Sequence, residues 1–154
     1  MLDNKALLRR LGVAMMIFFV FPTYMCSTRS MTPEEANRIL NLFYLDNVPE
    51  PINDRHIVDA GRAIVPYLTK EVQRRDMPKR GYAILALGKI GDRRALPVLI
   101  QILEDRTELI YFREDALRAI WHIDRQLGEK FAEMLGEENP DSIDIIKLLR
   151  NGQI

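Results

Sequence analysis

Apolar positions recur at helical spacing along most of this chain, in paired runs separated by turn residues. Ala83, Ile84, Ala86, Leu87 and Ile90 share one helical face, and Gly91-Asp92 then interrupts the run. Ala95, Leu96, Leu99, Ile102 and Leu103 form a second stripe. Asp92 stands where it caps that second helix, and Pro97 lies near its start, where a missing N–H costs least. Upstream, Thr32-Pro33-Glu34-Glu35 reads as a capping box ahead of Ile39, Leu40, Leu42, Phe43 and Leu45. The prolines of Asn47-Val-Pro-Glu-Pro-Ile-Asn53 end that helix in a loop. Downstream, Pro140-Asp-Ser-Ile-Asp-Ile-Ile-Lys-Leu-Leu149 reads as a terminal helix stopping at Asn151-Gly152, placed to cover an open end.

The paired runs repeat. A shift of thirty-three lays Arg113, Ala116, Leu117, Ala119, Ile120 and Ile123 onto Arg80, Ala83, Ile84, Ala86, Leu87 and Ile90. A shift of thirty in the other direction lays Ile57, Ala60 and Gly61 onto Leu87, Ile90 and Gly91. Pro66 and Leu68 match Pro97 and Leu99 at thirty-one. A near-constant period over several positions marks a stack of two-helix units, each too small to bury its own apolar face. In the third copy Asp124 replaces the turn glycine, and Trp121 stands where the middle copy has Gly88. The tryptophan either fills a gap between layers or faces a partner; packing is the expected role.

The run Ala-Leu-Gly-x-Ile-Gly-Asp-x-x-Ala-Leu-Pro-x-Leu resembles the HEAT repeat, in the short form found in bacterial proteins and phycobilin lyase subunits. The resemblance is strongest over 80–105, fair over 113–135 and weak over 52–74. It implies an all-α fold, a short α-solenoid of about three helical hairpins within a repeat domain of residues 31–154; residues 1–30 are expected to add an N-terminal hydrophobic helix, read from their own pattern.

That N-terminal segment has its own pattern. Lys5, Arg9 and Arg10 precede Leu11–Met25, a mostly apolar run without charge. Positive charge ahead of such a run is the pattern of a secretory signal or an anchor, and it leaves the N-terminus cytoplasmic. Fifteen residues suit a signal core better than a full span. Leu7 and Leu8 extend the run if Arg9 and Arg10 snorkel to the headgroups, and no Ala-x-Ala-like cleavage site follows. Cys26 resembles a lipidated lipoprotein cysteine, although Thr23-Tyr24-Met25 departs from the residues that normally precede one. An uncleaved anchor through residues 1–25 is the expected reading, with a cleaved signal, a lipoprotein and a buried helix of a soluble protein as alternatives.

Charge narrows the function. Formal net charge is zero, but the first thirty residues hold four of the 22 Lys and Arg and one of the 22 Asp and Glu. The remainder therefore carries 18 − 21 = −3. An acidic body lacks the cationic excess that tracking a phosphate backbone requires, so no nucleic-acid partner is expected. The basic pairs Arg74-Arg75, Lys79-Arg80 and Arg93-Arg94 are read as solvated helix ends. With one cysteine, an internal disulfide and a multi-cysteine metal site are excluded. His56 and His122 are read as half-buried helix residues, since neither has a second ligand at helical spacing.

No Ser-His-Asp spacing, glycine-rich phosphate loop or His-Glu metal motif occurs, so a non-enzyme without cofactor or metal is expected. Adjacent carboxylates such as Glu34-Glu35, Glu104-Asp105 and Glu137-Glu138 diverge around a helix and are read as solvated charge. The HEAT resemblance implies that second helices line a concave, protein-binding face. Carried over, that face comprises Tyr67, Lys70 and Arg74, then Val98, Gln101 and Asp105, then Lys130 and Glu133, with Tyr67 and Val98 as an apolar spot. The expectation is a scaffold or accessory subunit of a membrane protein complex in a bacterial inner membrane, its repeat domain periplasmic. A soluble or lipidated periplasmic adaptor and a lyase-type helper handling a tetrapyrrole are the alternatives. HEAT-like DNA glycosylases are a further one, disfavoured by the export segment and the acidic body.

Overall fold

The computed structural model describes residues 30–45 and 54–154. The apolar segment with Cys26, and the proline loop at 47–53, lie outside these residues. The described residues form eight α-helices and no strand. They are α1 (Pro33–Leu45), α2 (Arg55–Ala60), α3 (Val65–Glu71), α4 (Arg80–Ile90), α5 (Leu96–Glu104), α6 (Ile110–Ile123), α7 (Arg125–Glu138) and α8 (Ile143–Arg150). Three hairpins, α2–α3, α4–α5 and α6–α7, stack in chain order. Among the first helices, α2 packs on α4 and α4 on α6, while α1 packs on α2 and α8 on α6 and α7. Each repeat thus covers an apolar stripe that its neighbour exposes, as a helical solenoid requires.

The stripes read from the sequence in α4, α5 and α6 form most of the core, whereas Leu42 and Leu45 of the α1 stripe are exposed. Ala83, Ile84, Ala86 and Leu87 are buried, as are Ala116, Leu117, Ala119 and Ile120 at the equivalent positions of α6. Small residues set the spacing between these helices. A Cβ on Gly88 would lie 2.6 Å from Ala119 Cα, so α4 and α6 meet where no side chain fits. Trp121 is 7% exposed, with Gly128 of α7 against its backbone and the Arg125 guanidinium 5.6 Å from its ring. It packs between helices, as expected.

Turn chemistry follows the same repeat. Thr32 and Glu35 form the capping box: Glu35 N–H donates to Thr32 Oγ1 at 3.2 Å and Thr32 N–H to Glu35 Oε2 at 3.0 Å. Gly91 ends α4 at φ +70°, a left-handed conformation that a side chain would strain, and its N–H reaches Leu87 and Gly88 carbonyls. Asp92 then accepts from Arg94 N–H at 3.0 Å, capping a single 3₁₀ turn (Arg93–Ala95) ahead of α5. The third copy needs no glycine. Asp124 adopts an extended conformation, and its carboxylate caps α7 by accepting from Leu127 N–H at 3.1 Å.

The opposite end of the stack corrects the reading of Lys79-Arg80 as solvated. Arg80 is 3% exposed, donating from Nε to Val72 O at 2.7 Å and from Nη1 to Glu108 Oε2 at 2.6 Å. Its guanidinium also lies 4.9 Å from the centre of the Phe112 ring. Arg113, thirty-three residues on, repeats the arrangement with Leu103 O at 2.7 Å and with Glu138. Each arginine lies in the first turn of a first helix, satisfies a carbonyl near the end of the preceding second helix, and pairs with a glutamate after or at the end of its own repeat's second helix. Orphan carbonyls at a buried helix end need such a donor, which explains why a cation enters the interior. Glu138 is therefore not free solvated charge. Chiefly through its hydrogen bond with Arg113, its carboxyl is held below the usual range. The histidines also depart from expectation: His56 and His122 are both exposed.

Candidate functional site: the second-helix face and its clefts

The eight residues assigned to the concave face do not converge on one site. Tyr67 and Lys70 of α3 border a groove of about 920 Å³ at the hairpin-turn end of the first repeat. Val98, Gln101 and Asp105 border a cleft of about 120 Å³ between the first and second repeats. Glu133 borders a third, of about 370 Å³, between α7 and α8. Arg74 and Lys130 are exposed.

The expected apolar spot is altered by burial. Val98 is 5% exposed and belongs to the core, because the N-terminal turn of α5 packs inward behind Pro97. Tyr67 is half-buried, and its hydroxyl donates to Met31 O at 2.9 Å. That bond fastens the chain entering α1 onto α3.

The cleft beneath Val98 is electrically closed. Arg75 donates to Asp105 Oδ2 and Thr107 Oγ1, each at 2.6 Å. Asp105, read from sequence as solvated charge, also accepts from the Thr107 hydroxyl at 2.7 Å and backbone N–H at 2.9 Å. These Thr107 bonds first, and Arg75 next, hold its carboxyl below the ordinary range. The Arg80–Glu108 pair lines the same cleft. Arg74 is likewise engaged, with Glu71 at 3.1 Å and Asp76 at 3.3 Å.

The groove beside Tyr67 is built differently. Ala60, Ala63, Pro66 and Tyr67 give it an apolar lining together with Met31. Arg62, Lys70, Arg94 and the buried Asp92 line it as well. Arg94 binds Asp92 through Nε at 3.0 Å and Nη2 at 2.6 Å, and Nη2 also donates to Arg62 O at 2.7 Å. The Arg94 hydrogen bond keeps the Asp92 carboxyl below the usual range despite its burial. Arg62 and Lys70 are exposed and make no ion pair among the described residues. Sequence reasoning found Lys70 and missed Arg62 and Arg94. The three come together only when α3 and the turns of neighbouring repeats pack side by side, although the recurrence of Gly61 under Gly91 was a usable signal.

Among the described residues no cluster of His, Cys, Asp or Glu is arranged to hold a metal ion. No described helix is long and apolar enough to cross a membrane. The fold and surface define a helical-repeat protein with open clefts along its second helices. A family model described as the PBS lyase HEAT-like repeat matches residues 79–105, the segment in which α4, the Gly91-Asp92 turn and α5 form the most regular hairpin. No curated protein and no solved structure matches the chain. The molecule carries a HEAT-like repeat, a type of unit that generally mediates protein interactions.

Proposed function

We propose that this protein is a non-enzymatic, membrane-tethered binding module, an accessory subunit of a larger membrane protein complex on the periplasmic side of a bacterial inner membrane. The observation that supports the binding role is the repeat stack itself, whose second helices border open clefts. Tethering is supported by Lys5, Arg9 and Arg10 ahead of the uncharged run Leu11–Met25. A tether raises local concentration near its partner, so a shallow surface binds without a large interface.

The test is the intact mass of the native protein purified from membranes, with co-purifying chains identified in the same sample. A mass that includes residues 1–25 and one stoichiometric membrane protein is the expected result. A chain beginning at a lipid-modified Cys26 replaces the anchored subunit with a lipidated adaptor. A shorter unmodified chain without any partner contradicts the proposal, and a bound tetrapyrrole redirects it to the lyase-type helper.

A further inference from the structure

The groove at the turn end of the first repeat combines three properties. Part of its lining is apolar, formed by Ala60, Ala63, Pro66 and Tyr67. Its lining charge is 3 − 1 = +2, from Arg62, Lys70 and Arg94 against Asp92, on a repeat body whose total is −3. Two of those cations, Arg62 and Lys70, form no salt bridge among the described residues, and Asp92 is held by Arg94.

The groove is also held in shape without a ligand. The Arg94 bond to Arg62 O ties the second repeat's turn to the first, and the Tyr67 bond to Met31 O fixes its end. A preorganised site spends less of its interaction energy on ordering. At about 920 Å³ it lies at the upper end of the range of roughly 300–1,000 Å³ for ligand clefts.

We propose that this groove docks an extended, acidic segment of a partner protein. One apolar side chain lies against Pro66 and Tyr67, and flanking carboxylates pair with Arg62 and Lys70. This deepens the protein-binding reading and rests on it. An apolar side chain flanked by carboxylates matches both the apolar and the cationic parts of this lining, whereas an anionic headgroup matches only the cations, so lipid fits less well. The chain's own upstream residues are disfavoured by charge, with Lys5, Arg9, Arg10 and Arg29 against Asp3. Cations of this kind chiefly accelerate association and make it salt-dependent, while the buried apolar anchor slows dissociation.

The experiment uses the full-length chain in nonionic detergent. It is titrated with a labelled pool of short peptides rich in Asp and Glu around one Leu or Phe. A matched pool with Gln and Asn in place of the acids, and vesicles of anionic phospholipid, serve as comparators. Binding of the acidic pool is expected, weakened roughly tenfold by the neutral replacement and by each of Arg62→Glu and Lys70→Glu, with unchanged helicity. Binding should also fall as salt rises. Absence of binding, equal binding of the neutral pool, or Arg62- and Lys70-dependent binding of vesicles in place of peptide would overturn it. Membrane co-purification separates the two proposals. A partner retained equally by wild type and by the Arg62→Glu, Lys70→Glu double variant removes the groove but keeps the binding module. No partner with either chain removes the module.

Discussion

Two sets of cations in the repeat stack are used in opposite ways. Where one repeat connects to the next, Arg80 and Arg113 are buried, each bonded to a helix-end carbonyl and a glutamate. In the first repeat, Arg62 of the hairpin turn and Lys70 in the last turn of α3 are exposed beside a partly apolar groove and form no salt bridge among the described residues. A buried cation bonded to a carbonyl and a carboxylate holds neighbouring repeats together. An exposed cation without a salt bridge contributes little to stability and stays accessible from solvent. Exposure and pairing, not residue type, separate structure from function here.

The contrast can be broken most forcefully at Arg80. Arg80→Ala strands the buried Glu108 carboxylate and the Val72 carbonyl, and is expected to cost about 3–5 kcal/mol in urea unfolding. Replacing Arg80 and Glu108 together with apolar residues should restore most of that loss. Next comes the close approach of α4 and α6. Gly88→Ala places a methyl 2.6 Å from Ala119 Cα, and the backbone shift required is expected to cost about 1–3 kcal/mol by the same measurement.

Acid probes the paired carboxylates together. Asp92, Asp105 and Glu138 are held below their ordinary values of 3.8, 3.8 and 4.5. The folded state therefore binds fewer protons than the unfolded chain as pH falls through that range. Their contribution is present above the unfolded values and is lost as pH drops through the lower folded ones. Melting temperature should be level from about pH 7 to 5 and decline below about pH 4. In Glu138→Gln that decline should be shallower. The smallest expected stability effect belongs to Arg62→Ala with Lys70→Ala, within about 0.5 kcal/mol of wild type.

Much of this architecture was legible in the residues. The Thr32–Glu35 box, the Gly91-Asp92 turn and the recurrence of Ala83-Ile84 at Ala116-Leu117 are local signals, and each formed the element it predicts. The site was less legible because pairing is not local. Arg80 looks like one half of a surface Lys-Arg pair until Glu108, twenty-eight residues away, folds against it. The period did hold a clue: Arg80 recurs as Arg113, and Glu108 as Glu138. Val98 was assigned to the surface by register with Tyr67, yet the neighbouring helices cover it. The groove draws on residues from Ser30 to Arg94, a span no sequence window joins.

The most direct test of the contrast is one paired measurement on the Arg62→Ala, Lys70→Ala double variant: its urea midpoint and its retention of the proposed membrane partner. The account predicts an unchanged midpoint with the partner lost. A lowered midpoint, or a partner retained at wild-type stoichiometry, would contradict it.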